Sequence, residues 1–223
     1  MIYYQDNFLP EDQFLALKKA VDSAYEAKEP KEMLDSHFGI TWEPYKITFP
    51  IAKTGNWLDS CMPNNPECVP ALQKMEDTMT SMGIQKLTNW SSWFQYSVDN
   101  MSLPPHRDQA SLRKCDPKDI YTAVIYTSDW QTGWGGEFVA GKPVFDRPGG
   151  RVKALDPITH EIQPLPNRFI IWSREEWHKV YKSTVNDPEY VRGFFGSSWS
   201  SVESSNPNKD HNPYVRFSFT EIK

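Results

Sequence analysis

Little in this chain of 223 residues suggests a cross-linked, membrane-embedded or polyanion-binding protein. Its three cysteines, Cys61, Cys68 and Cys115, are an odd number without CxxC spacing. They support neither a disulfide framework nor a zinc site and read as reduced thiols in a cytoplasmic compartment. No apolar run approaches the roughly 18 residues of a membrane-spanning helix. Met1 to Asp6 has neither the basic nor the apolar region of a signal peptide, so a cytoplasmic protein is expected. Lysine and arginine total 24 against 29 acidic residues, a net charge of −5, and they form no dense basic run. That balance counts against nucleic acid as the main partner. No internal repeat is visible.

Aromatic residues, by contrast, are plentiful at 14%, with nine tryptophans. A chain of this length falls within the range of one barrel or sandwich domain and can bury a sizeable core. Pro10-Glu11-Asp12 opens a helix running to about Lys28, with Phe14, Leu17, Val21 and Tyr25 at helical spacing. A second helix is predicted from Val69 to Met82, ended by Gly83. From Lys86 onward, short β-like runs are punctuated by Pro, Gly and Asn. Arg151 to Leu155 and His160 to Gln163 read as a hairpin turning at Asp156-Pro157. Ser197 to Pro213 reads as a polar surface loop before a last strand, Tyr214 to Thr220. The expectation is one domain over residues 1–223, with a helical N-terminal support (1–85) laid against a β core (86–223).

Chemistry enters with His106-Arg107-Asp108 and, 178 − 106 = 72 residues later, Trp177-His178. Successive side chains of a strand point to opposite faces, so His106 and Asp108 share a face, with Cα atoms roughly 6.6 Å apart. A fold that brings His178 to them completes a two-histidine, one-carboxylate set, which leaves coordination positions open on a mononuclear iron. HxD alone is a weak signal among five histidines. Its neighbours strengthen it, because strand-like runs, Asn89 to Val98 and Arg168 to Trp172, precede the two halves. The remaining histidines, His37, His160 and His211, have no carboxylate at strand spacing and read as exposed.

The ordered set of Tyr96, His106-x-Asp108, Tyr121 to Ser128 with Trp130, Trp134-Gly135-Gly136-Glu137-Phe138, Pro166 to Trp172, Trp177-His178-Lys179-Val180 and Tyr190-Val191-Arg192 resembles the Fe(II)/2-oxoglutarate-dependent oxygenases. Within them it is most similar to the prolyl 4-hydroxylase-like branch. The resemblance covers about 105 residues, and Ile2 to Pro10 looks like the opening of the same branch. It implies a mainly β fold with flanking helices (α+β), a double-stranded β-helix, or cupin-like jelly roll, packed against N-terminal helices. It implies Fe(II) held by His106, Asp108 and His178, with 2-oxoglutarate and O2 as cosubstrates and ascorbate as an optional reductant. The reaction implied is hydroxylation of an unactivated C–H bond, most simply in a prolyl or other residue of a protein or peptide, with succinate and CO2 as coproducts. A free amino acid or small metabolite is the alternative substrate. A nucleobase oxygenase and a non-catalytic metal-binding cupin-like module are further alternatives.

For the far carboxylate of 2-oxoglutarate the resemblance implies a basic side chain on a strand after the distal histidine. Arg192 lies 192 − 178 = 14 residues beyond His178 and is preferred over Arg216 of Tyr214-Val215-Arg216-Phe217-Ser218. A guanidinium suits the role because its planar fork makes two parallel bonds to a carboxylate. Tyr126 and Tyr96 are the expected hydroxyl partners. Among the tryptophans, Trp199 is the one expected to touch substrate; Arg107, pointing away from the two ligands beside it, could steer an acidic or peptidic substrate. One departure from the branch is plain: Phe138 stands where many prolyl hydroxylases carry a threonine facing the pocket. Asp108 argues for hydroxylation, since related halogenases have Gly or Ala there. The loops expected to choose substrate, Lys53 to Pro66 and Leu112 to Lys118, carry no recognised signature.

Overall fold

The structure, a computed structural model, describes residues 1–26, 46–52, 66–85, 87–97, 102–108, 119–185 and 192–201. In chain order these form β1 (Ile2–Gln5), α1 (Glu11–Glu26), β2 (Lys46–Ala52), a short 3-10 turn (Pro66–Cys68), α2 (Val69–Ser81), β3 (Thr88–Ser97) and β4 (Leu103–His106). There follow β5 (Ile120–Tyr126), β6 (Phe138–Phe145), β7 (Val152–Ile162), β8 (Phe169–Ser173), β9 (His178–Val180) and β10 (Arg192–Ser200). Of β2, and of Trp90, Trp93 and Tyr96 in β3, only the backbone is described.

Two antiparallel sheets make the double-stranded β-helix that the sequence led us to expect. The larger has six strands in the order β1-β8-β5-β10-β3-β2 and the smaller four in the order β4-β9-β6-β7. β5, β8 and β10 are buried along their whole length because the larger sheet is covered on both faces. Strands in that setting read as unbroken apolar runs, as Ile120 to Tyr126 and Phe169 to Trp172 do. Ala123, Ile125, Phe169, Ile171 and Phe195 turn to the helices, packing with Leu17 and Val21 of α1 and with Ala71, Leu72, Met75 and Met79 of α2. Val124, Tyr126, Ile170, Trp172 and Phe194 turn the other way and meet Phe138, Ala140 and Ile162 of the smaller sheet. Each large side chain so buried is worth about 1.5–3 kcal/mol of transfer free energy.

The two helices begin and end as their sequences dictate. Glu11 and Asp12 place negative charge in the first turn of α1, where the helix dipole favours it. Pro70 enters α2 in its first turn, where its missing N–H costs nothing. Gly83, at φ 87°, closes that helix: its N–H donates to Thr80 O and the next N–H, of Ile84, to Met79 O, the paired bonds of a glycine-terminated helix.

Three expectations need correction. The N-terminal portion is not only helical, because β1 pairs with β8 and β2 with β3, extending the larger sheet at both edges. The proposed hairpin is one strand, β7, paired with β6; register shifts near Gly141 take up Asp156-Pro157, so the turn chemistry was absorbed as an irregularity in the ladder. Ser197 to Ser200 are strand and not loop, since they complete β10 between β5 and β3, and residues 202–213 lie outside the described residues. Small serines fit there because that strand is covered on both faces. Cys68 is buried at the start of α2, and His160 of β7 is partly exposed. The far end of the first helix beyond Glu26, His37, Cys61, Cys115, the two candidate substrate loops apart from Pro66, His211 and the strand around Arg216 lie outside the described residues.

Pro166-Asn167-Arg168 serves the N-terminal segment. The buried Asn167 amide donates to Leu9 O at 2.8 Å and accepts from Leu9 N–H at 2.9 Å, while its carbonyl accepts from Phe8 N–H. Arg168 forks onto both carboxylate oxygens of Asp6. Removing a buried amide that satisfies two backbone groups should cost about 2–3 kcal/mol, so Asn167→Ala is expected to lower the midpoint of chemical denaturation without altering the site. An unchanged midpoint would remove this staple from the account.

Candidate metal centre

β9, only three residues long, is wedged between β4 and β6, and its register puts His178 directly opposite His106. His106 is the last residue of β4, so the HxD pair is not wholly within a strand; the chain leaves the ladder after His106 and Asp108 still returns to the same side. Asp108 Oδ1 lies 3.8 Å from His106 Nε2 and 3.7 Å from His178 Nε2. The three ligand atoms are all within 4.8 Å of one another, a group that could hold a metal ion.

Backbone carbonyls set which imidazole nitrogen is available. His106 Nδ1 is 2.7 Å from Pro104 O, and His178 Nδ1 is 3.0 Å from Glu176 O. A carbonyl can only accept, so each Nδ1 carries the hydrogen and each Nε2 keeps a lone pair aimed at Asp108. The carboxylate is divided in the same way. Asp108 Oδ2 accepts from Thr122 Oγ1 at 2.8 Å and from Trp172 Nε1 at 2.9 Å, leaving Oδ1 for the imidazoles. Two neutral nitrogens and one carboxylate oxygen, each oriented by a bond on its far side, are a donor set that fits a divalent iron.

Thr122 and Trp172 are cross-strand partners on β5 and β8 and were not among the expected site residues. Their signal in the sequence was faint: both occupy alternate positions of buried strands, where a polar atom needs a partner. Trp172→Phe keeps most of the volume and deletes the N–H, so metal affinity should fall about ten- to a hundred-fold. An anaerobic metal titration checks this; unchanged affinity would assign Trp172 to packing alone.

Burial pushes the Asp108 carboxyl upward, but the neighbouring His178 and Arg174, then His106 and the Thr122 hydrogen bond, outweigh it and hold the group well below the usual carboxylate range. Asp108 is therefore ionised at neutral pH.

The flanks of the centre differ. His178 has 4% of its side chain exposed, stacks on Phe138 at 5.1 Å between ring centroids and leans on Trp172 at 5.2 Å; His106 is 28% exposed. Phe138, the departure from the branch pattern, packs against a candidate ligand. Arg107 is exposed, its guanidinium 5.0 Å from the centre of the Trp177 ring.

Arg192 begins β10, is buried, and donates from Nη1 to Gly136 O at 2.6 Å. The Gly135-Gly136 pair is explained by close approach. A Cβ on Gly135 would lie 2.1 Å from Lys182 O and one on Gly136 2.2 Å from Arg192 Nη1, and both residues have positive φ. Tyr126 lies on the same side of the larger sheet, its ring 6.0 Å from Phe194. Burial pushes its phenol up against the opposing pull of Arg192 and Arg168, so the hydroxyl stays a hydrogen-bond donor. Arg192 and Tyr126 are thus brought together.

One other expectation is not met. Trp199 is fully buried on the helix-facing side, where its Nε1 donates to Ser197 Oγ at 2.6 Å. The inward position is taken by Ser198, because alternation along β10 turns Phe194 and Ser198 inward and Trp199 outward. Of Tyr96 only the backbone is described; it pairs with Gly193, next to the pair of Arg192 with Ser97.

A family model of the 2OG-Fe(II) oxygenase superfamily matches residues 92–194, a span that contains the whole His106, Asp108 and His178 cluster and ends just past Arg192. No curated protein matches the chain by sequence. Among solved structures, it is similar to the viral collagen prolyl hydroxylase of Paramecium Bursaria Chlorella virus-1 in its 2OG complex, with a TM-score of 0.57 and 13% identity over 91% of this chain and 96% of that one. A prolyl hydroxylase from Trichoplax adhaerens, in complex with a hypoxia inducible factor peptide fragment, gives 0.57 and 14% over 90% and 83%. A prolyl-4-hydroxylase from Pseudomonas putida gives 0.53 and 16% over 89% and 91%. Such identities speak to the fold, and the double-stranded β-helix is common to all. Family model, fold and donor set agree: residues 92–194 match the 2OG-Fe(II) oxygenase superfamily, the chain shares the double-stranded β-helix of these structures, and His106, Asp108 and His178 could hold the metal ion.

Proposed function

We propose that the protein is an Fe(II)- and 2-oxoglutarate-dependent dioxygenase that hydroxylates an unactivated C–H bond of a protein or peptide residue, proline being the first candidate. His106, Asp108 and His178 would hold the iron, and Arg192 with Tyr126 the far carboxylate of 2-oxoglutarate. Iron and 2-oxoglutarate supply the oxidising power, by a decarboxylation that yields succinate and CO2. The protein's share is orientation and exclusion of water. Trp172 and Thr122 hold the carboxylate to one oxygen, Pro104 and Glu176 hold the imidazole tautomers, and the Phe138 and Trp172 rings close the His178 flank.

The observation that carries this reading is the intact, singly directed Asp108. A carboxylate oxygen fixed toward both imidazoles fills the position that a halide would need. A peptidyl substrate is supported by the exposed His106 flank, with the Arg107 and Trp177 pair adjacent in sequence to the two histidines, and by the prolyl hydroxylases among the similar folds, one of them described with a peptide bound. Anaerobic addition of Fe(II) and 2-oxoglutarate should give a visible charge-transfer band. Proline-containing peptides, assayed in air, should then gain one oxygen atom with stoichiometric succinate. Turnover of free amino acids with none of any peptide would sink the peptidyl reading and leave the dioxygenase intact.

A further inference from the structure

Arg174 is a buried arginine, 2% exposed, that neither the sequence motifs nor the proposed iron chemistry calls for. Its N–H donates to Ile120 O at 2.9 Å and so continues the pairing of β8 with β5 one step beyond Ser173. Arg174 stands in the turn that follows β8, two residues past Trp172. There its Nη2 donates to Ser198 Oγ at 2.6 Å. Ser198 is the cross-strand partner of Thr122, which is the partner of Trp172, so the three form one row across β10, β5 and β8. Two members of that row donate to Asp108 and the third carries the arginine. Asn89 Nδ2 donates to Ser198 O at 3.2 Å, holding the row from β3.

We propose that Arg174 is a positioning residue of the iron site, whose fixed positive charge, tethered by Ser198 in the row that holds Asp108, favours the anionic cosubstrate at the expense of metal affinity. The inference rests on the iron reading above. A guanidinium keeps its charge at every accessible pH, and in a partly desolvated setting that charge acts over several ångströms with little screening by salt. Its sign makes two opposite demands. It repels Fe(II), which makes the metal bind less tightly, and it attracts the two carboxylates of 2-oxoglutarate arriving at the loaded site. A residue that served only to support the fold would strengthen or weaken both together.

The test separates the two binding steps on the whole protein under anaerobic conditions, with Fe(II) titrated alone and 2-oxoglutarate titrated into the iron-loaded protein by its charge-transfer band. Arg174→Gln is expected to tighten Fe(II) binding a few-fold and to weaken 2-oxoglutarate binding by on the order of ten-fold. Arg174→Lys, which keeps the charge, should restore both toward wild type. Ser198→Ala, a small change at the tether, should reproduce the direction of the Gln variant more weakly and serves if Arg174→Gln fails to fold. Both affinities falling together, both unchanged, or a Lys variant equal to the Gln variant would each overturn the proposal while wild-type binding leaves the iron reading standing. A wild-type protein that binds neither ligand would overturn the iron reading itself, and this inference with it.

Discussion

His178→Ala should leave a protein that retains no Fe(II) after anaerobic loading and desalting and that shows no decarboxylation of 2-oxoglutarate. The imidazole is one of the three side chains proposed to hold the iron, it is buried, and its ring packs against Phe138 and Trp172 with Nδ1 spent on Glu176 O. No other His, Cys, Asp or Glu among the described residues joins the cluster, so no donor stands ready to replace it. Loss of a ligand on this scale is expected to exceed the ten- to hundred-fold cost of losing a residue that merely orients one. His106→Ala should match it in iron content and turnover, yet it should cost less stability, because His106 is the more exposed of the pair. Iron content and thermal unfolding measured on the same samples separate the effects. Residual turnover above a few per cent in either variant would remove that histidine from the ligand set.

Arg192→Ala, the second large effect, should keep iron and raise the 2-oxoglutarate concentration needed for half-maximal decarboxylation about a hundred-fold or more. Truncating one partner of a buried charge pair costs roughly 2–5 kcal/mol, enough for that factor. The argument has two parts. The guanidinium is held by Gly136 O, which fixes the direction of the fork before a ligand arrives, and the neighbouring Tyr126 hydroxyl remains a donor. Gly136→Ala should give a similar defect at wild-type Arg192, since the added methyl would fall 2.2 Å from Nη1 and the positive φ disfavours it. Decarboxylation kinetics with iron in excess read both. If Arg216→Ala produced the cosubstrate defect and Arg192→Ala did not, the assignment of the clamp to β10 would be wrong.

How much of this was legible beforehand depended on the range of the interaction. α2 was readable to within a residue, because proline at its first turn and glycine just past its end act through bonds to the nearest four residues. The apolar runs of β5 and β8 were readable as buried strands, and with them the mainly β architecture. Asp156-Pro157 misled, since the same dipeptide can turn a chain or be taken up within a ladder, and only the partner strand β6 decides. Trp199 misled for a related reason: a step of one residue along a strand exchanges inward for outward, and counting from Arg192 cannot show which face the helices cover. The Ser197 to Ser200 run looked like a loop because its polarity is satisfied by partners on other strands and helices, among them Arg174 and Met75.

Composition and local order alone determined the mainly β fold, the two helices, and the identity of the two histidines and the aspartate that could meet, because residue type and short spacing bear directly on each. Tertiary structure decided which oxygen of Asp108 is free, that Trp172 and Thr122 hold the other, that Phe138 packs on His178, that Gly136 yields room to Arg192, and that Arg174 is tied to Ser198. Those are contacts between residues 14 to 64 positions apart, such as Asp108 with Thr122 and with Trp172. Their geometry is set by strand register across two sheets, a quantity that no local stretch of residues carries.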